Sequence, residues 1–335
     1  LLASGDITQA TAGAIAGEAL LARSTAGDVQ LVAGNNDVRT LAASAAGDLR
    51  YRGGGDLAVA TVTAGALDAS GAPQTVAASG LAATDAIVQA TTGNLSVQAA
   101  SNASNGLTLQ ADAGSVQVGQ SLQAGTVALL ARGDIGQQAG AGITADTLAA
   151  RSTAGSVTLT AAGNDAGVFA GSAATELRYA DANALTIGDA TVATQDTAGG
   201  LSSSAVTGVQ AGTVRVAART GTLTVASGVT ATDAASLQAD AGAVAVDAAV
   251  RARTVALLAT GDSTESTSGG IAADALLARS TGGDVLLEDG GNDVRALAGS
   301  AAGSLSYRGA GDLAVAAVTA SALDAAGAPQ AVSGA

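Results

Sequence analysis

The side chains of this chain that are able to do chemistry are carboxylates, guanidinium groups, phenols and hydroxyls. The 335 residues contain no His, Cys, Met, Trp or Lys, so all 14 basic residues are Arg, against 28 acidic residues. A chain without His or Cys cannot form a Ser-His or Cys-His catalytic pair, a thiolate zinc site or a disulfide. Any reaction therefore has to use carboxylate, Arg, Tyr or hydroxyl groups.

Acidic residues recur at a regular spacing along the chain. Asp6, Asp28 and Asp48 are separated by 22 and 20 residues. Stacked on one edge of a repeating fold, their carboxylates would supply the several oxygens that Ca²⁺ requires, so they are our candidate metal ligands. The alternative is a turn role, in which an Asp after Gly bonds to backbone at a corner; Ser156 and Ser304 replace the acid in later repeats. We favour the turn role and expect no other cofactor.

Arg132, Gly133 and Asp134 form the tripeptide that resembles the integrin-binding sequence of some adhesins. The positions equivalent to Arg132 are Ser4 and Thr260, so one repeat in three carries the tripeptide. The Gly-Asp pair itself occupies a corner that all three repeats share. This favours chance occurrence over a binding site, although the three residues stay a candidate.

Tyr51, Tyr179 and Tyr307 recur at one position of the repeat, each beside at least one Arg. A ring next to a guanidinium group is able to hold a sugar by stacking, which makes the three Tyr candidate binding residues. The alternative is that each ring fills a gap in a core of small side chains. We favour the packing role.

Catalysis is the weakest of the functions that the composition permits. A carbohydrate-active site needs several carboxylates that converge on one groove and differ in pKa. The acidic residues of this chain instead follow the repeat spacing. We therefore expect that the protein is not an enzyme, and a carbohydrate-active β-helix enzyme stays as a weaker alternative.

The residues discussed above belong to a repeat of 128 residues. Leu1–Ile7 returns as Leu129–Ile135 and again from Leu257, and no insertion shifts the other landmarks. The modules are residues 1–128, 129–256 and a partial third module, 257–335. We expect one continuous solenoid that is a fragment of a longer chain.

A shorter period of about 21 residues divides each module into six segments. Their apolar starts in the first module are Leu1, Leu20, Leu41, Val62, Leu81 and Leu107. Apolar and polar residues alternate within segments, as in residues 107–110, and Gly, Asn and Asp separate them. A strand-and-turn repeat buries its apolar face by stacking coil on coil. The prediction is an all-β, right-handed parallel β-helix (β-solenoid) with about 21 residues per coil and six coils per module.

Four motifs resemble the repeat regions of filamentous haemagglutinin-like exoproteins, a two-partner secretion adhesin family of Gram-negative bacteria. They are Leu-Leu-Ala-x-Gly-Asp-Ile at 129–135, Leu-x-Ala-Arg-Ser-Thr-x-Gly at 20–27, Gly-Asn-Asp-Val at 291–294 and Ser-Leu-Gln-Ala-Gly-Thr-Val at 121–127. The resemblance covers the whole chain. It implies export through an outer-membrane β-barrel transporter and an extracellular or cell-surface location, where the protein contacts a host or neighbouring cell or its glycans.

The charge of the chain limits its partners. A formal net charge of -14 disfavours binding to nucleic acid or to an anionic membrane surface, because both require basic patches. No apolar run approaches the roughly 20 residues of a membrane helix, so we expect no direct membrane insertion.

These observations lead to two expectations for function. The first is a structural repeat region of a large secreted adhesin that acts as an extended stalk for attachment between cells or to surfaces. The alternative is a self-assembling extracellular fibre, sheath or matrix protein, because each module offers the same surface again for association into filaments.

Overall fold

A computed structural model describes residues 1–34 and 36–334 of the chain. The chain divides into two compact units. Unit 1 comprises Leu1–Ala149 and Thr191–Ala205, and unit 2 comprises Ala150–Ala190 and Val206–Ala335. The border near residue 149 differs from the sequence repeat, whose second module begins at residue 129.

Both units consist of β-strands. The strands that lie wholly or mostly in unit 1 are Leu2–Ala3 (β1), Ile7–Thr8 (β2), Ala16–Ser24 (β3), Val29–Leu31 (β4), Asp37–Ser44 (β5), Leu49–Gly53 (β6), Leu57–Val59 (β7), Thr61–Leu67 (β8), Pro73–Ser79 (β9), Leu81–Ala90 (β10), Leu95–Val97 (β11), Ser101–Ala111 (β12), Val116–Val118 (β13), Leu122–Ala131 (β14), Ile135–Gln137 (β15), Ile143–Ser152 (β16), Asp189–Gln195 (β21) and Leu201–Thr207 (β22).

The strands of unit 2 are Val157–Leu159 (β17), Asp165–Ser172 (β18), Glu176–Asp181 (β19), Leu185–Ile187 (β20), Val209–Ala218 (β23), Leu223–Val225 (β24), Val229–Ala239 (β25), Val244–Val246 (β26), Val250–Arg251 (β27), Thr254–Ala259 (β28), Ser263–Glu265 (β29), Ile271–Ser280 (β30), Val285–Leu287 (β31), Asp293–Ser300 (β32), Leu305–Tyr307 (β33), Ala314–Val315 (β34), Val318–Leu323 (β35) and Pro329–Gly334 (β36).

Strands one coil apart pair in parallel, which confirms the predicted right-handed parallel β-solenoid with a spacing of about 21 residues. In unit 1, Val88 pairs with Leu109, and Leu109 pairs with Leu129. In unit 2, Leu237 pairs with Leu257, and β28 pairs with β30. The two units together contain about 15 turns. No helix in the described part of the chain is long and apolar enough to cross a membrane.

The cores follow from the alternation of apolar and polar residues. In β4, Val29 and Leu31 are buried while Gln30 between them is partly exposed, and the short strands β7, β11, β17 and β24 repeat this pattern. Successive side chains of a strand point to opposite faces, so one side of each strand fills the inside of the coil. Because these inward residues are mainly Ala, Val and Leu, each coil encloses a narrow core.

One segment of every module differs from the predicted coil. The segment that starts near Val62 forms an antiparallel hairpin of β8 and β9 instead of a coil, and β21–β22 and β35–β36 form the equivalent hairpins. The parallel pairing continues around the hairpin. Tyr51 pairs with Val88, a step of 37 residues in place of about 21, because the intervening chain forms the hairpin.

We call β8–β9 hairpin 1, β21–β22 hairpin 2 and β35–β36 hairpin 3. The chain reverses in each hairpin through an Asp-x-x-Gly turn, and Gly71, Gly199 and Gly327 have φ angles of 82°, 85° and 77°. Residues with a Cβ rarely adopt a positive φ, so glycine is required there. The turn is therefore a sequence signal for a hairpin in each module.

Candidate functional site

The Asn of the recurring Asn-Asp motif lies inside the solenoid. Asn36, Asn164 and Asn292 are each 0% exposed. Nδ2 of Asn292 donates to the carbonyl oxygen of Arg308 at 3.1 Å, and Oδ1 accepts the backbone N–H of Ile271 at 2.7 Å. Because Ile271 and Arg308 belong to the coils before and after it, the Asn side chain joins three successive coils.

The Ser of the recurring Arg-Ser-Thr motif also joins coils. Ser24 is 3% exposed, as are its equivalents Ser152 and Ser280. The Ser24 hydroxyl donates to the carbonyl oxygen of Gly5 in the preceding coil at 2.7 Å and accepts the backbone N–H of Gly27 at 2.9 Å. Both contacts hold a turn in place, so this motif is structural.

The corner acids are hydrogen-bonded from coil to coil in unit 1. Oδ1 of Asp6 accepts the backbone N–H of Asp28 at 2.9 Å, and Oδ1 of Asp28 accepts that of Asp48 at 2.8 Å. Burial and the nearby carboxylates of Asp85 and Asp28 raise the pKa of Asp48 above its ordinary value. The three predicted Ca²⁺ ligands therefore stand in one row, as the spacing predicted, and each of Asp6 and Asp28 bonds to the next coil.

A metal site requires several oxygens around one point. Within residues 1–34 and 36–334, no group of three or more acidic side chains lies close enough together to hold a metal ion. The corner geometry favours the turn role, and Ca²⁺ binding stays a prediction that the Discussion provides a test for.

Arg132, Gly133 and Asp134 form the turn between β14 and β15. The Arg132 backbone N–H donates to the carbonyl oxygen of Ala111 at 3.1 Å, and that of Asp134 donates to Oγ of Ser115 at 3.0 Å. Arg132 and Asp134 are exposed at this corner. The tripeptide is thus on the surface, in a turn held to the preceding coil.

The three recurring Tyr residues are less exposed than a stacking platform requires. Tyr51 is 1% exposed and Tyr179 is 0% exposed, so neither presents a ring face to the surface, while Tyr307 is partly exposed. In unit 2 the ring of Tyr179 stacks on Phe169 with 4.1 Å between ring centres. This placement favours the packing role over sugar binding.

Asp181 is a buried carboxylate that sequence reasoning did not single out. It is 0% exposed, and its Oδ2 accepts the Tyr179 hydroxyl at 2.5 Å and the Ala166 backbone N–H at 2.8 Å. Burial raises the pKa of Asp181, even though the Tyr179 hydrogen bond lowers it. Gly53 and Gly309 occupy this position in the other modules, and this departure from the repeat was the available signal.

Unit 1 contains an open polar groove of about 520 Å³ that includes two acidic residues. Asp37, Arg39, Asp56, Asn94 and Ser96 are among the residues that line it. Oδ1 of Asp56 accepts both the backbone N–H and Nδ2 of Asn94, at 2.7 and 3.1 Å. Asp56 therefore acts at a coil corner, as Asp6 and Asp28 do.

The hairpins lie against the outer faces of the coils. In unit 1, the side chain of Gln195 in hairpin 2 is 2% exposed, and its Nε2 donates to the carbonyl oxygens of Tyr51 and Ile87 at 3.1 and 3.3 Å. Arg50 and Arg52 donate to the carbonyl oxygens of Gly199 and Thr197 at the tip of this hairpin. Hairpin 2 is thus held mainly by polar groups.

In unit 2, hairpin 3 is held by apolar contacts as well. Leu323 packs on Ala180 and Ala217. Val318 and Ala322 belong to a cluster with buried residues of four successive coils, which are Ala256, Leu258, Leu277 and Ala298. The hairpin therefore acts as a strap across several coils, and it buries outward-facing side chains that would otherwise be in solvent.

The straps are the feature that sequence reasoning missed. A signal for them was present in the Leu-Leu doublets, since strict alternation leaves one Leu of each doublet outside. Leu257 is 0% exposed in the core, yet its neighbour Leu258 on the outer face is only 5% exposed. An apolar doublet in an otherwise alternating strand indicates that both faces are covered.

Comparisons of the chain with models of known protein families, with curated proteins and with solved structures found no match. The functional argument therefore depends on the geometry described above.

Proposed function

We propose that this chain is a structural repeat region of a large secreted bacterial surface adhesin, in which it acts as a stalk for attachment between cells or to surfaces. The observation that carries the proposal is the use of the recurring polar residues. Asn292, Ser24 and Asp28, which represent the three recurring motifs, all bond to neighbouring coils. A repeat whose conserved spacing serves coil stacking is suited to extension and presentation.

The resemblance to filamentous haemagglutinin-like exoproteins adds the biological setting of this proposal. In that setting the chain passes through an outer-membrane β-barrel transporter and works outside a Gram-negative cell. Its acidic surface, with a net charge of -14, suits an exterior protein that avoids nucleic acid and anionic lipid.

The experiment that tests the proposal combines shape with adhesion. We expect small-angle scattering and negative-stain electron microscopy of residues 1–335 to show elongated single particles, and beads coated with the protein to adhere to cells more than beads coated with an unrelated acidic protein. Compact particles, or no excess adhesion to any cell type tried, would contradict the stalk proposal.

The candidate tripeptide provides a matched variant for the adhesion assay. Asp134→Glu keeps the charge and lengthens the side chain by one methylene, which an integrin metal site would not accept. Loss of adhesion in this variant assigns adhesion to residues 132–134, whereas unchanged adhesion assigns it to another part of the surface.

Self-assembly into a fibre is the second candidate, and exposed core residues favour it. Val315 is 81% exposed, whereas its equivalents Val59 and Ile187 are 0% exposed. Leu305 is 43% exposed, while Leu49 and Leu177 at the same position are 0% exposed. These side chains and the open strand edges beside them are able to accept another coil. Filaments in the same micrographs would favour this candidate over an isolated stalk.

A further inference from the structure

Hairpin 1 has an apolar distal half that no part of the described chain covers. Leu67 in hairpin 1 is 68% exposed, whereas Leu323 at the equivalent position of hairpin 3 is 1% exposed. A Cβ placed on Gly71 at the tip would meet no atom within 4 Å, while one on Gly327 would contact Thr160. Hairpin 1 therefore has the form of a strap without the surface that a strap holds.

The sequence of hairpin 1 identifies the surface that it fits. Residues 62–74 and 318–330 are identical at 11 of 13 positions, and the differences are Gly65 for Ser321 and Ser70 for Ala326. The turn is also the same, since Asp68 and Asp324 donate their backbone N–H groups to the carbonyl oxygens of Ala72 and Ala328, both at 2.9 Å. A hairpin with the same side chains and the same turn fits the same seat.

That seat is known in detail from unit 2. Ala180 and Ala217 receive Leu323, and the Gln238 side chain bonds to both backbone groups of Leu323. Nη2 of Arg219 donates to the carbonyl oxygen of Asp324 at 2.5 Å. Four of these five contacts involve the Leu-Asp pair that hairpin 1 shares, or its backbone.

We propose that hairpin 1 docks on unit 2 of a second copy of this chain, in the seat of hairpin 3, so that copies join head to tail by hairpin exchange. Exchange of equivalent elements is a low-cost route to assembly, because the docked contacts are the ones the fold already makes. In each copy hairpin 3 competes for the seat at high effective concentration, so exchange is weak until hairpin 3 is released. The inference rests on the second candidate function, self-assembly, and names the contact through which it occurs.

Two substitutions separate the hairpin from its seat. Leu323→Asp places a charge against Ala180 and Ala217, which releases hairpin 3 and leaves the seat open. Leu67→Asp disables hairpin 1 and leaves the seat untouched. Leu201→Asp is the matched control, since Leu201 is a 65% exposed Leu on hairpin 2.

Sedimentation equilibrium of the full-length chain tests the proposal. We expect Leu323→Asp to oligomerise at a concentration at least about tenfold lower than the wild type, because the competitor is removed. The double variant Leu67→Asp, Leu323→Asp should be monomeric. When the double variant is mixed with wild type, it should form a 1:1 complex that stops at two chains, since one has only an open seat and the other only a free hairpin.

A gain of affinity provides an independent variant. Ser321 Oγ accepts Nε of Arg215 at 3.0 Å in hairpin 3, and Gly65 lacks this hydroxyl. No atom lies within 4 Å of a Cβ on Gly65, so Ser fits there. Gly65→Ser in the Leu323→Asp background should strengthen association about three- to tenfold, in line with one added hydrogen bond of about 1 kcal/mol.

The outcomes distinguish this inference from self-assembly in general. Oligomers of Leu323→Asp that persist in the double variant would overturn the role of hairpin 1 and leave assembly through other surfaces. Monomers of Leu323→Asp with an intact strand spectrum by circular dichroism would also overturn it. If Leu323→Asp does not fold, the chain ending at residue 316 supplies the open seat for the same mixture.

Discussion

Gln110 and Gln195 are 85 residues apart in the sequence and make two reciprocal hydrogen bonds. The backbone N–H of Gln195 donates to Oε1 of Gln110 at 3.2 Å, and Nε2 of Gln110 donates to the carbonyl oxygen of Gln195 at 3.0 Å. Gln238 makes the same pair of bonds to Leu323, at 3.1 and 3.0 Å. One amide side chain thus takes the place of a neighbouring strand for one residue of a hairpin that crosses the coils.

This relationship predicts that Gln238→Ala loosens hairpin 3 without unfolding the coils beneath it. Two hydrogen bonds to a buried residue contribute about 1 to 3 kcal/mol, so the amides of β35 and β36 should exchange with deuterium roughly 5- to 100-fold faster. Amides of β28 and β30 should keep their protection. Hydrogen exchange read by mass spectrometry measures both.

Gln98→Ala is the control for this prediction. The Gln98 side chain donates to Oγ of Ser96 at 3.3 Å on the exposed surface of unit 1. Its removal should leave exchange in hairpin 3 unchanged. Equal exchange of β35 in wild type and Gln238→Ala would show that the apolar contacts of Leu323 are sufficient to hold the strap.

The coil period could be predicted from the sequence because strict alternation and regular glycines leave few other ways to bury Val29 and Leu31. The hairpins were not predicted, because a hairpin of Thr61–Ser79 has nearly the length of one coil and the same alternation. Alternation reports that a strand has one buried face, but not whether the neighbouring strand is parallel. The Leu257-Leu258 doublet carried the missing information, since it demands a cover on the outer face.

For the candidate site residues, the sequence indicated which positions recur but not where their side chains point. The 128-residue spacing of Tyr51 and Tyr179 is equally consistent with a surface platform and a core ring, and only the fold separates the two. Asp181 illustrates the opposite case, since a single departure from the repeat marked the buried carboxylate.

The interior Asn residues predict a large loss of stability on substitution. Asn292→Ala removes the acceptor of the Ile271 backbone N–H and the donor to the Arg308 carbonyl oxygen, and both partners stay buried. Each buried group left without a partner costs about 1 to 3 kcal/mol, so we expect a loss of roughly 2 to 5 kcal/mol in the free energy of unfolding. Urea denaturation followed by circular dichroism measures it.

Asn102→Ala is the matched control, since Asn102 is exposed in β12. It should change the free energy of unfolding by less than about 0.5 kcal/mol, as is usual for surface substitutions. Similar losses in the two variants would contradict the coil-joining role of Asn292.

The corner acids predict a contrast between two substitutions of Asp28. Asp28→Ala removes the acceptor of the Asp48 backbone N–H and should cost about 0.5 to 1.5 kcal/mol. Asp28→Ser keeps a hydroxyl acceptor, as Ser156 does at the equivalent corner, and should cost less. Thermal denaturation of wild type and both variants measures the contrast.

The same melts test for calcium. If the carboxylates of Asp6, Asp28 and Asp48 act only at corners, millimolar CaCl₂ and EDTA should give the same melting temperature at equal ionic strength. A rise with CaCl₂ that MgCl₂ does not reproduce, and that Asp28→Ser abolishes, would favour the metal role instead.

Asp181 predicts a pH dependence of stability. Burial raises the pKa of this carboxyl above its ordinary value of 3.8. The folded protein therefore keeps the proton at pH values above 3.8 at which the unfolded chain has released it. Because the folded state binds more protons in this range, the contribution of Asp181 to the free energy of unfolding decreases as pH rises, and it levels off above the raised pKa.

Asp181→Gly isolates this contribution, because it installs the residue found at Gly53 and Gly309. We expect the difference in free energy of unfolding between wild type and Asp181→Gly to be greatest near pH 3 to 4 and to fall towards pH 7, as measured by urea denaturation at each pH. Asn183→Gly, which alters the adjacent residue without removing a carboxyl, should follow the wild-type profile. A difference that grows with pH would mean that the hydrogen bonds from Tyr179, Ala166 and Asn183 outweigh burial and hold Asp181 ionised.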